Sequence, residues 1–202
     1  MEPRPAATVI VARQVRPAAG GLEFVVMRRS AVSRFAPGFV VFPGGIVEEK
    51  DAELAERWFG SALEAPRACA VRELSEEVGL VLTRDGLVEA PGRTASDAGL
   101  PPPDPVQIPE IARWIAPEFL PVRFDAHFFA VAADQGISPA PDGVEADRAW
   151  WARADDLLSG QRQGDVQLMW PTLKMLEALS TCGTVQDVLE LEVEQVAPPL
   201  PA

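Results

Sequence analysis

Arg72-Glu73-Leu74-Ser75-Glu76-Glu77-Val78-Gly79-Leu80 sets three carboxylates and a guanidinium within about a turn and a half of a predicted helix. Glu73, Glu76 and Glu77 are related as i, i+3 and i+4, so their side chains share a face and can converge on one cation. Carboxylate oxygens are hard ligands, and a few of them together suit Mg²⁺ or Mn²⁺, which keep several waters and bridge to substrate phosphates. The helix limits are marked. Pro66 fits the first turn, Glu64 before it meets the positive end of the dipole, and Gly79 supplies the left-handed residue that closes the helix. Ala68, Ala70, Val71, Leu74 and Val78 form the opposite, buried face, and Cys69 falls on that side.

Upstream, Thr8–Ala12 is a short β-branched run read as a first strand. Leu22–Arg28 returns as a second after Ala18-Ala19-Gly20-Gly21, and Phe39–Phe42 follows a Pro37-Gly38 turn as a third. Pro43-Gly44-Gly45 is expected to break that strand. Its two glycines let the backbone approach a ligand, and a bare carbonyl there can serve as a metal ligand.

An acidic run on a helix is ordinarily a solvated face. The spacing separates this one from that reading, because the segment resembles the Nudix box: Gly, five residues, Glu, seven residues, then Arg-Glu-aliphatic-x-Glu-Glu-x-Gly-aliphatic. Glu64, seven residues and Arg72 to Leu80 fit every position from the first Glu onward. Position 58, where the pattern wants Gly, is Trp, so Gly45 is taken as its counterpart and residues 46–63 as an insertion. The insertion reads as a short helix, Asp51 capping Ala52–Phe59 and Gly60 ending it.

The resemblance implies a Nudix-type α/β/α sandwich with a mixed central sheet. It implies Glu76 and Glu77 as principal metal ligands, with the Gly45 carbonyl and Glu73 completing the set, and Glu73 as the first choice for general base. Arg72 anchors the glutamates, and Glu64 holds the loop against the helix. Glu145, a few residues before Trp150-Trp151, resembles the further acid that many Nudix enzymes bring to the metal; a solvated loop Glu is the competing reading.

A second resemblance lies upstream. Val25-Val26-Met27-Arg28-Arg29-Ser30, Arg34, Gly38 and Phe42-Pro43-Gly44-Gly45 reproduce the spacing of the coenzyme A diphosphatase branch, with Met27 where that branch has Thr. Arg29 and Arg34 suit bidentate phosphate contacts, and coenzyme A carries a 3′-phosphate besides its diphosphate; pairing with surface carboxylates is the alternative. The stretch from Pro121 to Phe129 is also similar to the strand after the box in those relatives. The implied activity is metal-dependent cleavage of a nucleoside diphosphate joined to another group, coenzyme A or acyl-coenzyme A favoured. Dinucleotides, nucleotide sugars or nucleoside triphosphates are the same-fold alternative, and a non-catalytic nucleotide sensor is the alternative of another class.

The 202 residues are read as one α/β domain with tails at 1–6 and 197–202. A net charge of −12 argues against a nucleic-acid surface, which needs a basic stripe, but not against a nucleotide bridged through divalent cations. Two cysteines, Cys69 and Cys182, make no disulfide framework, so a reducing, cytoplasmic setting is expected; no membrane span is read, and a homodimer is left open. Residues 84–105 read as a long loop, 108–115 as helix turn or strand, and 121–133 as a strand alternating apolar Val122, Phe124, Ala126 and Phe128 with Arg123, Asp125 and His127. His127, the sole histidine, reads more readily as a satisfied structural group or a substrate contact than as a base. Helices are expected from Ala154, from Pro171, and from Thr184 to about Val196.

Overall fold

The structure, a computed structural model, describes residues 2–15, 20–33, 35–95, 99–120 and 122–198. Its centre is the strand β1 (Arg4–Gln14), which pairs in parallel with β8 (Phe124–Ala132) along one edge from Arg4 to Ala12. Along its other edge β1 meets β2 (Leu22–Arg29) only at residues 12–14. Beyond that point the two strands part. The gap is filled by β3 (Val40–Val41), which pairs with β2 at Met27 and Arg28, and β4 (Gly44–Ile46), which pairs with β1 at Ala6–Thr8. The third strand breaks before Pro43 as expected, and after Phe42 and Pro43 the chain rejoins the sheet beside a different strand. β9 (Ala146–Ala152) flanks β2, and β7 (Glu110–Ile115) flanks β8, completing a mixed seven-stranded sheet.

Strand alternation sorts the core into two layers. Ile10, Phe24, Val26, Phe128 and Ala130 pack against α3 (Ala154–Gln163), α4 (Trp170–Leu179) and α5 (Val185–Leu189) through Leu157, Met175, Leu176 and Val188. Val9, Val11, Val25, Met27, Phe129 and Val131 pack against α2 (Ala65–Val78) through Cys69, Ala70, Val71, Leu74 and Val78. This is the expected α/β/α sandwich. The stretch 46–63 contains α1 (Glu49–Phe59), closed by Gly60 at φ 73°, and a 3-10 turn at Ala62–Glu64 precedes α2.

Several boundaries differ from expectation for identifiable reasons. Positions 4–6 are strand and not tail, because they pair with Phe124–Ala126 and the Arg4 N–H donates to the Arg123 carbonyl. Positions 199–202 of the other expected tail lie outside the described residues. The loop expected at 84–105 holds β6 (Gly86–Glu89), paired with β5 (Leu80–Thr83) across an Arg84-Asp85 turn, with Gly86 opening β6 at φ 119°. The last helix stops at Leu189. Leu191-Glu192-Val193-Glu194 alternates apolar and acidic residues with period 2, and it runs along the outer edge of β7. There the Val193 N–H donates to Ile111, the Trp114 indole to Val193, and the Gln195 amide both accepts from the Ile115 N–H (3.0 Å) and donates to its carbonyl (2.6 Å). Among the described residues no helix is long and apolar enough to cross a membrane.

Candidate active site

Helix α2 carries the acids. Pro66 lies in its first turn, and Gly79 at φ 65° returns its N–H to Leu74, so the last turns of the helix set Glu73 and Glu77 against the Gly44–Gly45 corner. Glu77, 2% exposed, takes the Gly44 N–H on Oε2 at 2.8 Å, while its Oε1 is buried with no hydrogen-bond partner. Burial drives this carboxyl well above the usual range. Glu73 and Glu145 push it the same way, and the Gly44 N–H and Arg29 offset part of the effect. Glu73 lies so close to Gly45 that a methyl at that glycine would stand 2.1 Å from its Oε1. Burial pushes Glu73 up to about 7, against the pull of Arg72 and with the charges of Glu76 and Glu145 adding.

Arg72 is the hub of the cluster. Its Nη1 donates to Glu73 Oε1 and to Glu76 Oε2, each at 2.8 Å; its Nε and Nη2 form a fork on Asp51 at 2.7 and 3.0 Å; and Nη2 reaches the Ile46 carbonyl at 3.3 Å. Burial works to discharge the guanidinium, but the Asp51 bonds and the Glu73 charge prevail and hold it protonated. Cys69 sits beneath, its thiol 3.5 Å from the Ile46 carbonyl and 3.8 Å from that of Gly45; burial, then the charges of Asp51 and Glu73, raise its proton affinity and leave it unreactive.

The structure thus brings together Arg72, Glu73, Glu76, Glu77 and Gly45. Glu145 is exposed, its N–H held by the Asp142 carboxylate and its carbonyl by the Ser30 N–H, yet its charge is felt by both Glu73 and Glu77. Arg29, at the end of β2, donates from Nε to the Phe35 carbonyl at 2.9 Å, and its charge acts on Glu77. Arg34 lies outside the described residues. His127 stands apart from the cluster: its Nδ1 is 2.8 Å from Glu110 and its ring stacks on Phe129. Glu64 pairs with Arg67, whose Nε holds the Ile108 carbonyl.

Two neighbours of the cluster escaped the sequence reading. Asp51 was expected as the cap of α1, but Glu48 is the cap; Asp51 occupies the third helical position, fully buried. Lys50 places its ammonium 3.6 Å from Glu76 and 3.2 Å from Glu48. The signal for Asp51 was its distance from Gly45, five intervening residues, which the helix-cap reading obscured.

The donor set fits a hard divalent cation. The half-buried Glu73 raises the cost of charge on the buried Glu77, and Glu77 Oε1 is left without a partner. Among the described residues no three His, Cys, Asp or Glu side chains form a ready cluster, and Glu73 and Glu76 both turn an oxygen to Arg72.

Comparison with known proteins identifies the family and the fold. A family model described as NUDIX domain matches residues 2–174. The crystal structure of a NUDIX hydrolase from Alicyclobacillus acidocaldarius superposes with a TM-score of 0.80 at 29% identity, covering 96% of this chain and 99% of that one. The NUDIX domain of Shewanella oneidensis NrtR, complexed with ADP ribose, shares the fold at a TM-score of 0.53 and 12% identity, over 88% of this chain and 86% of that one. A Caenorhabditis elegans protein bearing a nudix hydrolase name is 37% identical over 62 residues, which are 31% of this chain and 18% of that protein's length. From the glutamate helix against its Gly-Gly corner, the sandwich that presents them and the span of the family match, it follows that this chain belongs to the Nudix hydrolase family.

Proposed function

We propose that the chain is a Mg²⁺- or Mn²⁺-dependent pyrophosphohydrolase that cleaves a nucleoside diphosphate joined to a second group, with coenzyme A or acyl-coenzyme A as the favoured substrate. The observation that carries the reaction class is Glu77: a carboxylate buried to 2% exposure, fixed on one oxygen by the Gly44 N–H and unpartnered on the other, with Glu73 beside it. Glu76, Glu77, Glu73 and the Gly45 carbonyl would hold the ion, with Glu145 as a further acid. When bound, a divalent ion there supplies positive charge against the diphosphate oxygens.

The chain's own residues account for the rest. Glu73 is poised to take a proton from the water that attacks phosphorus, the P–O bond of the bridge breaking as the new one forms. Arg72, with every guanidinium nitrogen engaged, orients Glu73 and Glu76 and has no donor spare for substrate. Arg29 and Arg34 are the proposed contacts for the 3′-phosphate of coenzyme A. The upstream spacing supports that substrate, as does the charge of Arg29 acting on Glu77.

The test is a Mg²⁺- and Mn²⁺-supplemented screen of diphosphate compounds with product identification. Coenzyme A is expected to yield 3′,5′-ADP and 4′-phosphopantetheine. Turnover of ADP-ribose or a dinucleotide in its place would retain the reaction class and remove coenzyme A. No turnover of any diphosphate would favour a nucleotide sensor.

A further inference from the structure

The geometry points to Asp51 as a positioning residue of the site, acting through Arg72 on Glu73 and Glu76, in the place where the sequence pattern nominates Glu64. This inference rests on the metal-dependent reading above.

Asp51 is fully buried and Arg72 is 4% exposed, which makes theirs the most buried ion pair among the described residues. A carboxylate taken out of water needs strong partners, and Asp51 has three: Arg72 Nε at 2.7 Å, Arg72 Nη2 at 3.0 Å, and the Glu48 N–H at 2.8 Å. The fork fixes the plane of the guanidinium. With that plane fixed, Nη1 can address only the side where Glu73 and Glu76 stand, and both carboxylates take it at 2.8 Å. Glu64 makes none of these contacts; its partner is Arg67, one helical turn along.

The spacing agrees. Five residues separate Gly45 from Asp51, the interval the box pattern sets between its glycine and its first acid, and the added length then falls after Asp51. The excursion is therefore rooted in the site at its first turn. The Asp51 carboxylate takes the N–H of Glu48, the cap residue of α1, on Oδ2 and clamps Arg72 with both oxygens, so the fold of the excursion and the aim of the glutamates are set by one group.

The test reads Mn²⁺ binding to the full chain without substrate, alongside kcat and KM for the best diphosphate substrate. Asp51→Asn is expected to weaken Mn²⁺ binding and kcat roughly ten- to hundredfold with KM little changed, the range for groups that orient a ligand shell. Glu64→Gln is expected to bind Mn²⁺ within about twofold of the parent, outside that range. The double variant Asp51→Asn/Arg72→Gln should be no weaker than Arg72→Gln alone, since one acts through the other. Should Asp51→Asn fail to fold, Arg72→Lys replaces it: a single ammonium cannot serve the Asp51 fork and both glutamates, and the same loss is expected. Parent-like Mn²⁺ binding in folded Asp51→Asn or Arg72→Lys, or losses that multiply in the double variant, would overturn the inference alone. A parent that binds no Mn²⁺ would overturn the metal-dependent reading and this one with it.

Discussion

Glu77 rests one carboxylate oxygen on the Gly44 amide at 2.8 Å and keeps the other buried and unbonded. A group so placed is costly to the fold, because a buried acceptor without a donor loses the hydration it had in the unfolded chain. Residues that carry function are where such costs are found.

Replacing Glu77 or Glu76 by Gln should therefore split stability from activity. Either change removes a charge while keeping the shape, and turnover is expected to fall by at least roughly a hundredfold, in keeping with loss of a charge that opposes phosphoryl oxygens. In chelator, Glu77→Gln should melt a few degrees above the parent, taking ~2–4 °C per kcal/mol for a chain of this size. Melting curves and steady-state rates on the same preparations check both. Parent-like turnover in both variants would remove these residues from the site.

The pH dependence of the chelated protein follows from the same acids. Glu73 is raised from 4.5 to about 7, and Glu77 is raised well above its ordinary range by burial. Over that window the folded chain holds protons the unfolded chain has released, so stability falls as pH rises from about 4.5 through 7. Denaturant titrations at pH 5, 6, 7 and 8 should show the parent losing stability relative to Glu73→Gln/Glu77→Gln. Parallel profiles for the two proteins would contradict the assignment.

Gly44 and Gly45 should respond differently to alanine. A methyl at Gly45 meets the far end of the Glu73 side chain, which can move; a methyl at Gly44 meets the Ala7 carbonyl oxygen at 2.3 Å and the Thr8 Cα at 2.8 Å, which are backbone. Gly45→Ala is expected to fold with a near-parent melting point and lose roughly tenfold or more in rate, as orientation effects of this kind do. Gly44→Ala should instead lose roughly 1–3 kcal/mol of stability through overpacking. The two melting points measured together distinguish the cases.

Coenzyme A and its 3′-dephospho form separate the substrate proposal from the reaction class. Loss of a charge-assisted phosphate contact is worth on the order of 1.5–3 kcal/mol, so kcat/KM for the dephospho form should drop roughly ten- to hundredfold. Arg29→Met with Arg34→Met should erase that preference while slow hydrolysis of simpler diphosphates persists. Equal rates on the two coenzymes in the parent would end the coenzyme A proposal.

The sequence revealed what short-range spacing encodes. The i, i+3, i+4 acids, Pro66 at the start of their helix and Gly79 at its end are local, and each stands where expected. So do the apolar faces of β1, β2 and β8, because a period of two assigns each residue to a layer without reference to partners. Pairing was harder to read. Nothing local in Pro43-Gly44-Gly45-Ile46 says that β1 and β2 diverge and leave room for it, and the Arg84-Asp85 hairpin was hidden inside a stretch rich in turn residues. Asp51 was missed because an Asp near a helix start already had a sufficient local explanation. Its fork on Arg72 spans 21 positions, and only the fold reveals it.

The Gln195 side chain offers Ile115 the donor and the acceptor that a neighbouring strand would offer. An amide group on a flexible stem thus stands in for a peptide bond and occupies hydrogen-bonding positions at the sheet's β7 border. Two copies of this chain could not join their sheets across that border without first peeling residues 191–196 away and releasing the indoles of Trp114 and Trp170 from the Val193 and Val196 carbonyls. Self-association by sheet continuation is in this way discouraged at β7, and a variant with Gln195 replaced by Ala would test whether the guard also keeps the protein from forming fibres on storage.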